Sequence, residues 1–219
     1  MDHIQNLAAT QISSTLTPGM QPLALKDMTP SSSSEASPIC LFTHLISQQP
    51  QDIIMKSDLW STSATITNST GGSVLCIEAP HLSRSHRKKV YDTNGTHLFT
   101  IRKEDSRLGS SHYFFESPAD SHHILEFHSE WIGQSSSKTT ATFTNAISHQ
   151  QEVLQVESAT ILALATGGIV ARINRKAFDV RHTYRLSVVP AVDVALMVGI
   201  VMCLDDRERN HEDSRAFSS

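Results

Sequence analysis

Cysteine, basic charge and long apolar runs are all scarce in this chain, and each scarcity closes off a class of protein. Only three cysteines occur in 219 residues, Cys40, Cys76 and Cys203. An odd number without metal-ligand spacing argues against a disulfide framework or a zinc ribbon and leaves buried reduced thiols, which suit a reducing compartment. Lys and Arg number 18 against 22 Asp and Glu, a net charge of −4. That field does not favour nonspecific nucleic-acid binding. The longest apolar run, Val194–Leu204, is well short of the roughly twenty residues of a membrane span. The first residues, Met1-Asp2-His3-Ile4-Gln5, carry no basic stretch and no apolar stretch behind one. No signal peptide is therefore expected, and the chain is expected to be intracellular. Neither phosphate-cradling glycine motif occurs, nor a G-x-S-x-G elbow, so catalytic residues, cofactors and metals are not expected.

Proline is spread unevenly. Five of the eight lie in the first fifty residues, beside Ser31-Ser32-Ser33-Ser34 and only four charged residues. Such a segment buries too little apolar surface to offset chain entropy. Residues 1–48 are expected to be a polar tail, residues 49–209 one domain, and residues 210–219 a second flexible tail.

What is present from Ile53 onward is alternation. Leu125 and Phe127 alternate with Glu126 and His128, Ile169, Ala171 and Ile173 with Val170 and Arg172, and Tyr184, Leu186 and Val188 with Arg185 and Ser187. Trp60, Ala64 and Ile66 share one parity. Period two with one apolar face means half-buried strands, and about twelve such runs can be counted. Turn residues separate them: Asn68-Ser69-Thr70-Gly71-Gly72, Asp92-Thr93-Asn94-Gly95 and Thr166-Gly167-Gly168. A hairpin at Asn94-Gly95 pairs Val90 with Phe99 and Lys88 with Ile101. A two-residue hairpin at Gly167-Gly168 pairs Leu164 with Ala171 and Leu162 with Ile173. Many short strands joined by hairpins make a mainly β sandwich or barrel. The run Val194–Leu204 breaks the pattern. Asp193 suits an N-cap, and Asp205-Asp206-Arg207 ends the run. A helix apolar on every side must be buried on every side.

Three segments together resemble the LURP-one-related family. Val90-Tyr91-Asp92-Thr93-Asn94-Gly95-Thr96-His97-Leu98-Phe99-Thr100-Ile101-Arg102-Lys103 is similar to its first hairpin. Gly168-Ile169-Val170-Ala171-Arg172-Ile173-Asn174-Arg175-Lys176 is similar to its second signature. Tyr184-Arg185-Leu186-Ser187-Val188-Val189-Pro190-Ala191-Val192-Asp193 is similar to its third, which leads into a final helix. The resemblance covers about Ile53 to Asp206; residues 130–158, with a loop expected at Ser135-Ser136-Ser137, depart most. It implies a closed antiparallel β-barrel of twelve strands around a central C-terminal helix, like the tubby C-terminal domain and the phospholipid scramblases.

The sequence offers one candidate site. Arg84, Arg87, Lys88 and Lys89 lie together with His86, and no acid falls between Ala79 and Tyr91. The Asn94-Gly95 register sets Arg87 opposite Arg102. Opposed like charges on paired strands destabilise, so a retained cluster is a candidate for binding an anion. The alternative is a solvated strand end whose charges meet acids nearby. Arg172, Arg175 and Lys176 form a looser basic set. Among twelve histidines, His122, His123 and His128 are the densest group, but His123 and His128 differ in parity. The resulting expectation is a non-enzymatic, monomeric binding module for anionic phospholipid headgroups, phosphoinositides being the candidate that the tubby resemblance implies. An interaction scaffold with protein partners is the alternative, and scramblase-like lipid transport a third. The expected place is the cytoplasm, peripherally at the plasma membrane or in the nucleus.

Overall fold

A computed structural model describes residues 37–56, 63–79, 87–104, 110–132, 136–175 and 183–216. Twelve strands follow in order: β1 Gln51–Lys56, β2 Ala64–Asn68, β3 Ser73–Glu78, β4 Lys88–Asp92, β5 His97–Glu104, β6 Ser111–Glu116, β7 His123–Ile132, β8 Ser136–Thr144, β9 Gln151–Glu157, β10 Thr160–Ala163, β11 Ile169–Arg175 and β12 Thr183–Val188. Each pairs antiparallel with its neighbours in sequence, and β1 closes the ring against β12. That seam runs from Gln51↔Val188 to Lys56↔Thr183. The fold is the twelve-stranded closed barrel that the family resemblance implies, and its strand number agrees with the alternating runs. Inward positions such as Ile53, Ile66, Leu75, Phe99, Leu154 and Leu186 have no exposed surface. Trp60 lies outside the described residues.

Inside the wall runs α1, Val194–Ala216. From Val194 to Leu204 every side chain is buried, as an all-apolar helix requires. Gly199 marks the closest approach to the wall. A Cβ there would lie 2.5 Å from Phe115 Cε2 and 3.3 Å from Phe99 Cζ. Those two rings stack at 4.6 Å, and Phe42 stacks on Phe99 at 5.9 Å. Among the described residues no helix is long and apolar enough to cross a membrane.

Four expectations need correction. The helix does not stop at the charges; it continues through Asp205, Asp206 and Arg207 to Ala216. Residues 37–48, grouped with the polar tail, instead form a strap across the end of the barrel where α1 begins. Ile39 bridges Val192 and Ile46 bridges Asp193, with a single tight turn at Thr43–Leu45 between them. The composition of the first fifty residues concealed a local apolar cluster, Ile39-Cys40-Leu41-Phe42, of which Cys40 is fully buried. Ser137, expected in a loop, belongs to β8 and pairs with Trp131. The Gly167-Gly168 hairpin has a different register: Leu162 pairs with Ile169 and Ile161 with Ala171. A two-residue turn of type I′ needs positive φ at both central positions, and only Gly167, at +66°, has it. The loop instead closes through Gly167 N–H to Ala163 O at 2.8 Å. The slip turns Ile161 and Ala163 inward and leaves Leu164 exposed. At Asn94-Gly95 the expected pairs Val90↔Phe99 and Lys88↔Ile101 form, with a bulge between Val90 and Tyr91.

Asp193 ties the strap to the helix. Its Oδ1 accepts from Ala195 N–H at 2.8 Å and Leu196 N–H at 3.2 Å, capping α1. Its Oδ2 accepts from Phe42 N–H at 2.8 Å and Leu41 N–H at 3.0 Å. Burial pushes this carboxyl up, while the same four N–H groups pull it down.

Two outcomes are expected. Gly199→Ala overpacks against Phe115 and lowers unfolding free energy by about 1–3 kcal/mol; denaturant titration of Gly199→Ala with and without Phe115→Leu will show a loss smaller than the sum. Asp193→Asn sets an amide N–H₂ against one pair of backbone donors, costing about 2 kcal/mol or more. Limited proteolysis will then cut within residues 37–47 before the barrel unfolds.

Candidate functional site

The basic residues of β4 divide by strand parity. Lys88 shares the inward face with Val90 and Asp92 and is only 5% exposed. Arg87, just before the strand, and Lys89 face outward and are exposed. Arg102 on β5 faces outward too. Of the five candidates, Arg87, Lys89 and Arg102 therefore share one outer surface, Lys88 does not belong to it, and Arg84 lies outside the described residues.

The residue missed from sequence is Glu116, which holds this surface together. On β6 it pairs with Thr100 and so lies diagonal to Arg102. Its Oε1 accepts from Arg102 Nε at 2.5 Å, and its Oε2 is 3.8 Å from Arg87 Nη2. The carboxylate is buried while Arg87 remains half exposed. One acid thus relieves the repulsion expected between the two arginines. Arg102 also lies over Phe114, 5.0 Å from the ring centre, with His123 Nε2 3.2 Å from its Nη2. Lys89 stands opposite Glu78, which accepts from Tyr91 Oη at 2.8 Å. Burial and Glu78 both push the Tyr91 hydroxyl up.

A second polar assembly lies inside the barrel. Successive helix residues point about 100° apart, so Asp205, Asp206 and Arg207 aim at three different sectors of the wall. Asp205 accepts from Tyr184 Oη on β12 and lies 3.0 Å from Arg209 Nε one turn on. Asp206 accepts from Tyr113 Oη on β6 at 2.6 Å and pairs with Lys103 on β5 at 3.0 Å. Arg207 donates through Nη1 to Ser129 Oγ on β7 at 2.7 Å and Thr139 Oγ1 on β8 at 2.9 Å. Both aspartates are buried. Burying such charges is tolerated only because each is paired and hydrogen-bonded. Lys88 closes the ring on the β4 side. Burial lowers its amine to about 8, with Asp206 pulling it up and Arg209 pushing it further down. Burial and Asp206 push the Tyr113 hydroxyl well up.

A cavity of about 480 Å³ lies between the helix and the wall, lined by Val201 and Leu204 on one side and by Thr139, Val156, Ile173 and Tyr184 of β8, β9, β11 and β12 on the other. The histidines do not converge. His123 stacks on Phe114 at 4.1 Å, whereas His128 meets His112 at 4.2 Å. Among the described residues no group of three or more His, Cys, Asp or Glu is placed to hold a metal.

The buried amine has a pH signature. An amine whose folded pKa is depressed binds fewer protons than the unfolded chain between its folded and unfolded values, so stability rises with pH across that window. Between about pH 8, the folded value of Lys88, and its ordinary value near 10.4, the gain is on the order of 3 kcal/mol. Lys88→Met, which keeps length and removes the charge, will flatten that rise in urea unfolding at stepped pH.

The LURP-one-related (LOR) family matches residues 52–205. An X-ray structure of a protein from Arabidopsis thaliana is similar at 17% identity and a TM-score of 0.46, over 74% of this chain and 94% of that one. No curated protein matches. The family match runs from β1 through the barrel to Asp205, the greater part of the chain, and the protein belongs to the LURP-one-related family.

Proposed function

We propose that the domain is a non-catalytic binding module whose outer face at β4–β6 takes the phosphorylated headgroup of an anionic membrane lipid. The observation that carries this reading is the fixing of two guanidiniums by one buried carboxylate. Arg102 and Arg87 are held side by side on Glu116 at 2.5 Å and 3.8 Å. A guanidinium anchored through one edge keeps donors on the other for phosphate oxygens, at little further cost in side-chain entropy. Lys89 adds a third exposed base on the same face. Three bases against Glu116 and Glu78 leave a small positive excess, so one such patch binds weakly and depends on the charge density of a surface. A phosphoinositide, with several phosphates on one ring, supplies the most charge per headgroup. The family's resemblance to the tubby C-terminal domain supports the same ligand class.

The test is sedimentation with phosphatidylcholine vesicles carrying a phosphoinositide, compared with phosphatidylserine vesicles of equal total charge. Binding is expected to favour the phosphoinositide and to weaken with salt. Reversing Arg87, Lys89 and Arg102 to Glu is expected to weaken it about a hundredfold, at about 1 kcal/mol per base. Lys88 is left unchanged because it is part of the interior. Equal binding by the triple reversal, with its fold verified by circular dichroism, removes the reading.

A further inference from the structure

We infer, resting on that headgroup reading, that phosphate binding at the β4–β6 face is coupled to protonation of His123, which extends the site by one strand to β7. His123 is joined to Arg102 through Phe114. Register sets Phe114 directly opposite Arg102, and Glu116 directly opposite His123. The Phe114 ring carries a planar group from each flanking strand. Arg102 lies over it, 5.0 Å from the ring centre, and the His123 ring stacks on it at 4.1 Å with 24° between the planes. This shared floor brings Arg102 Nη2 and His123 Nε2 to 3.2 Å.

A guanidinium only donates. In that contact Nε2 must accept, so it carries no proton. A proton on Nε2 converts the hydrogen bond into two donors facing each other. One phosphate oxygen placed between them gives both a charge-assisted bond. Proton and phosphate therefore promote each other's binding, and by linkage the effect is reciprocal. Histidine is the side chain whose ordinary charge change falls between pH 5 and 8, so the headgroup is held more tightly as pH falls through that range.

The charged groups around His123 leave this opening. Arg102 on β5 presents a like charge. Glu116 on β6 is buried, with one oxygen on Arg102 and the other toward Arg87. On the turn before β7, Asp120 is paired with His122 at 2.5 Å. Glu126, exposed further along β7, stands opposite Phe114 on one side and Thr142 of β8 on the other. It is the carboxylate left to compete with phosphate for the protonated ring.

The headgroup's own titration has the opposite sign, because a phosphate monoester takes up its second proton at about pH 6 and loses charge. The test therefore compares variants on the same phosphoinositide vesicles, at about pH 7.5 and about pH 5.5, on either side of the ordinary histidine value, with the fold checked at both by circular dichroism. At the higher pH, His123→Gln is expected to bind as the wild type does. At the lower, the wild type is expected to bind about fivefold more tightly than His123→Gln, the worth of one further base at an anionic surface. His123→Lys, with a permanent charge, is expected to exceed His123→Gln about fivefold at both. His112→Gln, on the same outer wall, is expected to follow the wild type. If His123→Gln does not fold, the ratio of His123→Lys to wild type decides, falling from about fivefold to parity as pH is lowered. Identical pH profiles for the wild type and His123→Gln, or a constant ratio to His123→Lys, overturn the coupling and leave the headgroup site standing. Loss of the pH response in His112→Gln assigns it to overall charge and also overturns the coupling. No binding by the wild type at either pH removes the headgroup site and the coupling together.

Discussion

A ring of twelve strands encloses more space than its own inward side chains can fill, because barrel diameter grows with strand number and eight strands already suffice for a packed interior. Everything else in this structure answers that constraint. The interior must hold something apolar on every side, and Val194–Leu204 is such a segment. The dependence is mutual, since a helix with no polar face has no stable place in water without the wall. Gly199 shows how close the fit is: the helix comes near enough to Phe115 that only a hydrogen can stand between them. At the entrance Asp193 converts a helix cap into a joint, with one carboxylate oxygen for the helix and the other for the strap.

The two polar assemblies use opposite electrostatics. Inside, Asp205 and Asp206 are buried, and together with Arg207 they are matched to separate sectors of the wall, so their effect is to fix the rotation and depth of the helix. Replacing such groups singly is costly because each leaves a partner desolvated. Outside, Glu116 holds Arg87 and Arg102 together but leaves Arg87 half in solvent. The inner assembly is a structural lock, and the outer one is a surface with donors still to offer. Parity alone, a single residue between Lys88 and Lys89, decides to which a lysine belongs.

The barrel was legible in the sequence because its signal is local. Alternation places strands, and a hairpin register can be checked against the faces it aligns, as at Val90↔Phe99. Where turn chemistry was ambiguous, at Gly167-Gly168, the register slipped and the inward face of β10 was misassigned. The buried helix was legible from its lack of polar residues, but its length was not. Asp205 and Asp206 look like an end because charges are usually solvated, and their partners Tyr184, Tyr113 and Lys103 are remote in sequence. Glu116 escaped notice for the same reason: it reaches the arginines through the β5–β6 pairing, which no short turn motif announced. The strap was hidden by averaging, since a few apolar residues were diluted by the serines and prolines around them.

The seam between β1 and β12 joins residues 51–56 to residues 183–188, and it sets an order on assembly. Until β12 is in place, the sheet is an open ribbon with an unpaired edge at each end, the state that sheet proteins otherwise guard against. The helix that fills the ring follows β12 directly in the chain. During synthesis the wall therefore waits, curved but open and with its apolar face uncovered, for its last strand and its filling to emerge together. Closure and filling become one late event that joins distant parts of the chain, which makes for slow folding and for exposure to aggregation before it is complete.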